Sequence, residues 1–173
     1  MTFVLAIITA AIFLAADQIT KLIVMKNMTL GQSIDFINGL LDFTYIHNDG
    51  GAWGLFGGGR WFLIGLTATI MVALVILLIR DKGKSKLFFW AGCLIISGGI
   101  GNMIDRIFRN GMVVDFLHAT FINFPIFNVA DCFITVGCAV MVVYLIFFEI
   151  PREAKAEKEK KMAAECEKEN NED

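Results

Sequence analysis

The sequence predicts a mainly α-helical membrane protein. Four transmembrane helices form a bundle, with a small extracytoplasmic β-sheet and an interfacial loop or short helix. Three observations predict this. The 173 residues are 57% hydrophobic and mean hydropathy is +0.67, well above the usual soluble domain. The excess is gathered into four apolar stretches, residues 3–24, 61–79, 87–104 and 132–148, each close to the ~17–25 residues that cross a bilayer as a helix. Between the first and second stretches the pattern changes to short alternating runs bounded by turn residues.

The first stretch is expected to be a retained helix. No Lys or Arg precedes it, so it lacks the basic start of a cleaved signal peptide, and its helical pattern continues through Asp17 and Lys21. Next, "SIDFINGLLDFTYIHN" carries Asn38-Gly39 between two alternating runs, a two-residue hairpin signal. A small sheet on the membrane surface is expected there. "GGAWGLFGGGRW" follows, with glycines for tight turns and Trp53 and Trp61 suited to an interfacial belt. The link between the second and third spans, "RDKGKSK", is short and basic. Gly98, Gly99 and Gly101 near the end of the third span suit close helix packing. The loop at 108–127 is apolar and is expected to lie flat in the interface.

Residues 1–151 thus read as one membrane domain and residues 152–173 as a charged cytoplasmic tail. That tail holds six basic and eight acidic residues and reads as a solvated extension. The basic short loop and tail put both termini and that loop in the cytoplasm by the positive-inside rule, and the two long loops outside.

Ionisable residues gather at one depth. At 1.5 Å per residue, Asp17 lies ~21 Å along the first span and Asp105 ~27 Å along the third, both near the outer boundary. Lys21 is one turn beyond Asp17. Asn102, Asp105 and Arg106 share a helix face by their i, i+3, i+4 spacing, and Asn128 and Asp131 open the fourth span. Asp115 and Asn48 reach the same level from the outer loops. The inner halves of the spans carry almost nothing ionisable.

Elimination narrows the chemistry. Ser33, Ser85 and Ser97 have no G-x-S-x-G context. His47 and His118 form no H-E-x-x-H motif. Cys93, Cys132, Cys138 and Cys166 have no metal-site spacing and read as small apolar fillers, with Cys132 facing away from Asp131. Carboxylates remain. Two converging carboxyls that share one proton can act as general base and general acid. Asp17 beside Lys21 and Asp105 beside Arg106 also read as structural ion pairs. Asp115 and Asp131 have no basic residue at helical spacing and are the better candidates for a free pair, while capping of the fourth helix equally accounts for Asn128 and Asp131. Two other classes stay open on spacing alone. One is a small transporter or proton-conducting protein, and the other is a non-catalytic scaffold with polar interhelical contacts.

Five motifs in order resemble a known family. "DQITK" at 17–21, "NDGGAWGLF" at 48–56, "GGIGNMIDR" at 98–106, "VVDF" at 113–116 and "FNVAD" at 127–131 are similar to the boxes of lipoprotein signal peptidase, the bacterial signal peptidase II. The resemblance covers the chain to about Pro151. It implies an aspartyl endopeptidase of the bacterial cytoplasmic membrane, without metal or cofactor. Such an enzyme cuts diacylglyceryl-modified prolipoproteins before the lipidated cysteine, at the outer face. Carried over, Asp115 and Asp131 resemble the catalytic pair. Asn48, Gly51, Asn102, Asp105, Arg106, Asn128 and Ala130 match positions that bind substrate or shape the site, and Asp17 and Lys21 match supporting positions. The implied partners are lipid-modified prolipoproteins, membrane lipids and the family's cyclic-peptide inhibitors, with no nucleic acid, and the implied state is a monomer. Trp53 stands where the family commonly has phenylalanine, and the charged tail is longer than the family needs.

Overall fold

A computed structural model describes residues 2–51, 55–81, 85–152, 154–155 and 157–162. Trp53, Lys82, Lys84 and Cys166 lie outside the described residues. The chain forms α1 (Thr2–Asn27), β1 (Ser33–Ile37), β2 (Leu41–Asn48), α2 (Arg60–Asp81), α3 (Lys86–Phe108), β3 (Val113–Ala119) and α4 (Val129–Tyr144), with a π-helical turn at Leu145–Glu149 after α4. Among the described residues four helices are long and apolar enough to cross a membrane, and they coincide with the four expected spans.

Helix packing is inverted relative to a soluble bundle. Side chains such as Ile8, Ile12, Ile19, Phe62, Ile70, Ile79 and Val142 are about half or more exposed, as hydrocarbon-facing residues should be. The interior holds the polar groups. Asp17, Lys21, Asp105 and Asn128 are each 0% exposed. Side chains buried in this way cannot reach solvent, so each must find a partner within the protein.

Helix α3 is central and packs on α1, α2 and α4. Its glycines permit this. A Cβ on Gly98 would collide with the Ala130 carbonyl and sit 2.8 Å from Ile134 Cγ1, and one on Gly101 would come within 2.5 Å of Asp17 Oδ2. The close approach brings the start of α4 against the polar face of α3. A capping box fixes that start: Asn128 Oδ1 accepts from the Asp131 N–H, and Asp131 accepts from the Asn128 N–H.

The outer sheet is antiparallel in the order β1-β2-β3. Its hairpin differs from expectation. Ile37 pairs with Leu41, so three residues connect the strands rather than two. Gly39 takes φ +69° and the Leu40 N–H donates to the Ile37 carbonyl at 2.9 Å, the longer turn that a left-handed glycine also supports. The larger correction is the second outer loop. Instead of lying flat, its first half is β3, and Val113, Val114, Asp115 and Phe116 are buried. β2 supplies a partner edge, with Ile46 opposite Asp115 and Asn48 opposite Val113. Val114 and Phe116 then pack with Val24 and Tyr45, which seats the sheet on the end of α1.

Candidate active site

The polar residues meet at the end of the bundle that carries the sheet, around a cavity of about 1110 Å³. Asn48, Gly51, Asn102, Arg106, Asp115 and Asp131 line it. Strand β3 delivers Asp115 and the first turn of α4 delivers Asp131. Their carboxyls share the neighbour Asn128. Its Nδ2 donates to Asp115 Oδ1 at 2.6 Å, while its backbone N–H donates to Asp131 Oδ2 at 3.0 Å. The second oxygen of each carboxyl is also held. Asn48 Nδ2 donates to Asp115 Oδ2 at 2.9 Å, and Asn102 Nδ2 donates to Asp131 Oδ1 at 2.7 Å.

Asp115 is 1% exposed. Burial, with the neighbouring Asp131 charge added, pushes its carboxyl up to about 7, against the lowering influence of the Asn48 and Asn128 amides. A carboxyl of this kind gains and loses its proton near neutral pH, as a general acid–base requires.

Beneath lies a second polar layer. Lys21 Nζ is 3.0 Å from Asp17 Oδ2 and 2.9 Å from Asp105 Oδ2, and it donates to Asn102 Oδ1 at 3.0 Å. Asp17 Oδ1 accepts from the Ala130 N–H at 3.0 Å, tying α1 to the start of α4. Asp105 Oδ2 accepts from the Val114 N–H at 3.2 Å, tying α3 to β3. Asp17, Lys21, Asp105, Asn128 and Ala130 are therefore buried supports, and none of them is among the residues lining the cavity.

The expected Asp17–Lys21 pair is present. The Asp105–Arg106 pair is replaced. Asp105 pairs with Lys21 and with Arg109. Arg106 extends to the Gly50 carbonyl, with Nη2 donating at 2.8 Å, and its buried Nε has no hydrogen-bond partner among the described residues. Consecutive helix residues point about 100° apart, which separates Arg106 from Asp105.

Two contributors escaped the sequence reading, Gln18 and Arg109. Gln18 Nε2 donates to Asp17 Oδ2, the Gly101 carbonyl and Asp105 Oδ1. Arg109 lies four residues after Asp105, a spacing that could have exposed it. Cys132, His47 and His118 also line the cavity. His47 is held by the Tyr45 hydroxyl at 2.8 Å. Among the described residues no three His, Cys, Asp or Glu side chains are grouped to hold a metal ion.

Fold and site together define an integral membrane protein with an asparagine-lined, acidic cavity at one end of a four-helix bundle. A family model for signal peptidase (SPase) II matches residues 9–147. A lipoprotein signal peptidase of Brevibacillus brevis is 42% identical over 134 residues, covering 78% of this chain and 89% of that one. The enzyme of that name from Enterococcus faecalis is 39% identical over 140 residues, covering 81% and 86%. A solved bacterial membrane enzyme structure superposes with a TM-score of 0.78 at 35% identity, covering 82% of this chain and 87% of that one. The chain belongs to the signal peptidase II family, and it is accordingly a membrane peptidase.

Proposed function

We propose that this chain removes the signal peptide from diacylglyceryl-modified prolipoproteins, cutting before the lipidated cysteine through water activated by Asp115 and Asp131. The observation that best supports this is the joint grip of Asn128 on both carboxyls at the wall of one cavity. One carboxylate takes a proton from the attacking water and the other, protonated, donates to the substrate carbonyl or leaving amine. Burial and the neighbouring Asp131 charge raise the Asp115 carboxyl to about 7, which suits it to take and give the shared proton near neutral pH.

Arg106 lines the cavity, where its guanidinium is suited to positioning a substrate carbonyl. The Asn48 amide holds Asp115, and the glycine segment at Gly51 borders the cavity where an extended peptide would lie. Acyl chains of the substrate stay in the bilayer while the scissile bond enters from the side. Apolar lining from Phe124, Phe127, Ile134 and Val136 suits that lipid neighbour. We place both termini in the cytoplasm, the cavity toward the outer face, and the enzyme at work as a monomer. Cyclic-peptide inhibitors of the family are expected to occupy the same cavity.

The transporter reading has no comparable support, because residues 62–79, 87–101 and 132–148 carry no Asp, Glu, Lys, Arg or His for a relay. The deciding assay uses a diacylglyceryl-modified precursor in detergent with excess chelator. Cleavage should persist, and should vanish in Asp115→Asn and in Asp131→Asn. Cleavage by either variant at the wild-type rate would refute the proposal.

A further inference from the structure

Lys21 is wholly buried, 0% exposed, and does not line the cavity. Ion pairing with Asp17 and Asp105 accounts for two of its three N–H groups. The third goes to Asn102 Oδ1 at 3.0 Å. A lysine ammonium only donates. Its partner atom on Asn102 must therefore be the carbonyl oxygen, which leaves the NH₂ end on the other side, donating to Asp131 Oδ1 at 2.7 Å.

The constraint passes onward. Asn102 Oδ1 also accepts from Asn128 Nδ2 at 3.0 Å. That fixes the Asn128 amide, whose second N–H donates to Asp115 Oδ1 at 2.6 Å and whose Oδ1 accepts from the Asp131 N–H at 3.1 Å. Every hydrogen on Lys21 Nζ and on Asn128 Nδ2 is assigned. Turning Asn102 over would set its NH₂ against an ammonium and its oxygen against a carboxyl, and would break its contacts with Lys21, Asp131 and Asn128.

We propose that Lys21 is a positioning residue for the aspartate pair: by holding Asn102 one way round, it keeps an N–H aimed at Asp131 and, through Asn128, another at Asp115. This rests on the peptidase reading above. The carboxyl lone pairs left free then face the cavity, where water and substrate meet them. Without Lys21, Asn102 samples both orientations and the aspartates lose their fixed aim. Misplacement of about 1 Å in a catalytic group costs on the order of 100-fold in rate.

The test compares Lys21→Met and Lys21→Arg in the full chain, in detergent, with thermal midpoint and gel filtration confirming the fold. In Lys21→Met, kcat should fall on the order of 100-fold while KM stays within about threefold, since aim is lost but the binding cavity is kept. Lys21→Arg, which still donates, should recover much of kcat.

The pH profile gives a readout that a purely structural role would not move. Asp115 is faced by Asp131 of α4, Lys21 of α1 and Arg106 of α3, with Asp49, His47 and His118 around the cavity. The Lys21 charge lowers the proton affinity of Asp115, so its loss should move the alkaline limb upward. A folded Lys21→Met with wild-type kcat and an unmoved profile overturns the proposal.

A measurement on the unmutated chain keeps the test open if the variants fail to fold. With asparagine selectively labelled, the Asn102 side-chain N–H protons should show through-space contacts to Asp131 and none to the Lys21 ε-methylene, and the reverse pattern overturns the proposal. Asp115→Asn in the same assay separates the two readings. If it cleaves normally, the aspartate pair fails. If it is dead while Lys21→Met is normal, the Lys21 role alone fails.

Discussion

At the residue scale the site is a set of amides aimed at two carboxyls. Because Asn128 touches both, the aspartates should act as one unit. Asp115→Asn and Asp131→Asn should each abolish turnover, and the double variant should be no slower than either single one, the non-additivity of groups sharing one step. Steady-state kinetics of the three variants checks this, and a double variant slowed by as much as the product of the two single effects contradicts it. Asn128→Ala removes the shared donor and should lower kcat on the order of 100-fold. Much of this layer was legible. Helical spacing gave Asp17 with Lys21, and the absence of a basic neighbour singled out Asp115 and Asp131. The Lys21–Asn102 bond was not legible, since it spans 81 residues of sequence and depends on how two helices are rotated. Arg106 was misjudged as an Asp105 partner because adjacency in sequence says nothing of adjacency around a helix.

At the element scale two close contacts align the site. Gly98 lets the α4 start press on α3, and β3 pairs with β2 so that Asp115 faces inward. Gly98→Val should therefore destabilise the bundle and abolish activity together. A thermal midpoint unchanged from wild type would show that the contact has slack. Span positions were readable because about 20 apolar residues admit one structure in a bilayer. Strand β3 was not, because "VVDFLHA" is an apolar run without clear alternation, and such runs fit a strand, a buried helix or an interfacial segment equally. Only the free edge of β2 decides among them.

At the scale of the whole molecule, polarity is the organising fact: apolar side chains outside, buried charges gathered in one layer near one end of the bundle. The expected orientation can be read directly. In a background lacking the native cysteines, a membrane-impermeant thiol reagent should label Asp35→Cys from outside the cell, and Lys158→Cys only after lysis. The opposite pattern would invert the topology. The sealed layer also links stability to pH. Asp115 titrates at 3.8 when unfolded and about 7 when folded. Between those values the folded chain binds more protons than the unfolded one, so this group's contribution to stability declines as pH rises through that window and levels off above it. The thermal midpoint in detergent should show that slope, and Asp115→Asn should flatten it.

The pH dependence of cleavage tests the aspartate pair most directly. Measured as kcat/KM on a lipidated precursor, it should be bell-shaped, with the alkaline limb near pH 7 where Asp115 gives up its proton. A rate still level well into the alkaline range would mean that no shared proton is at work between these two side chains.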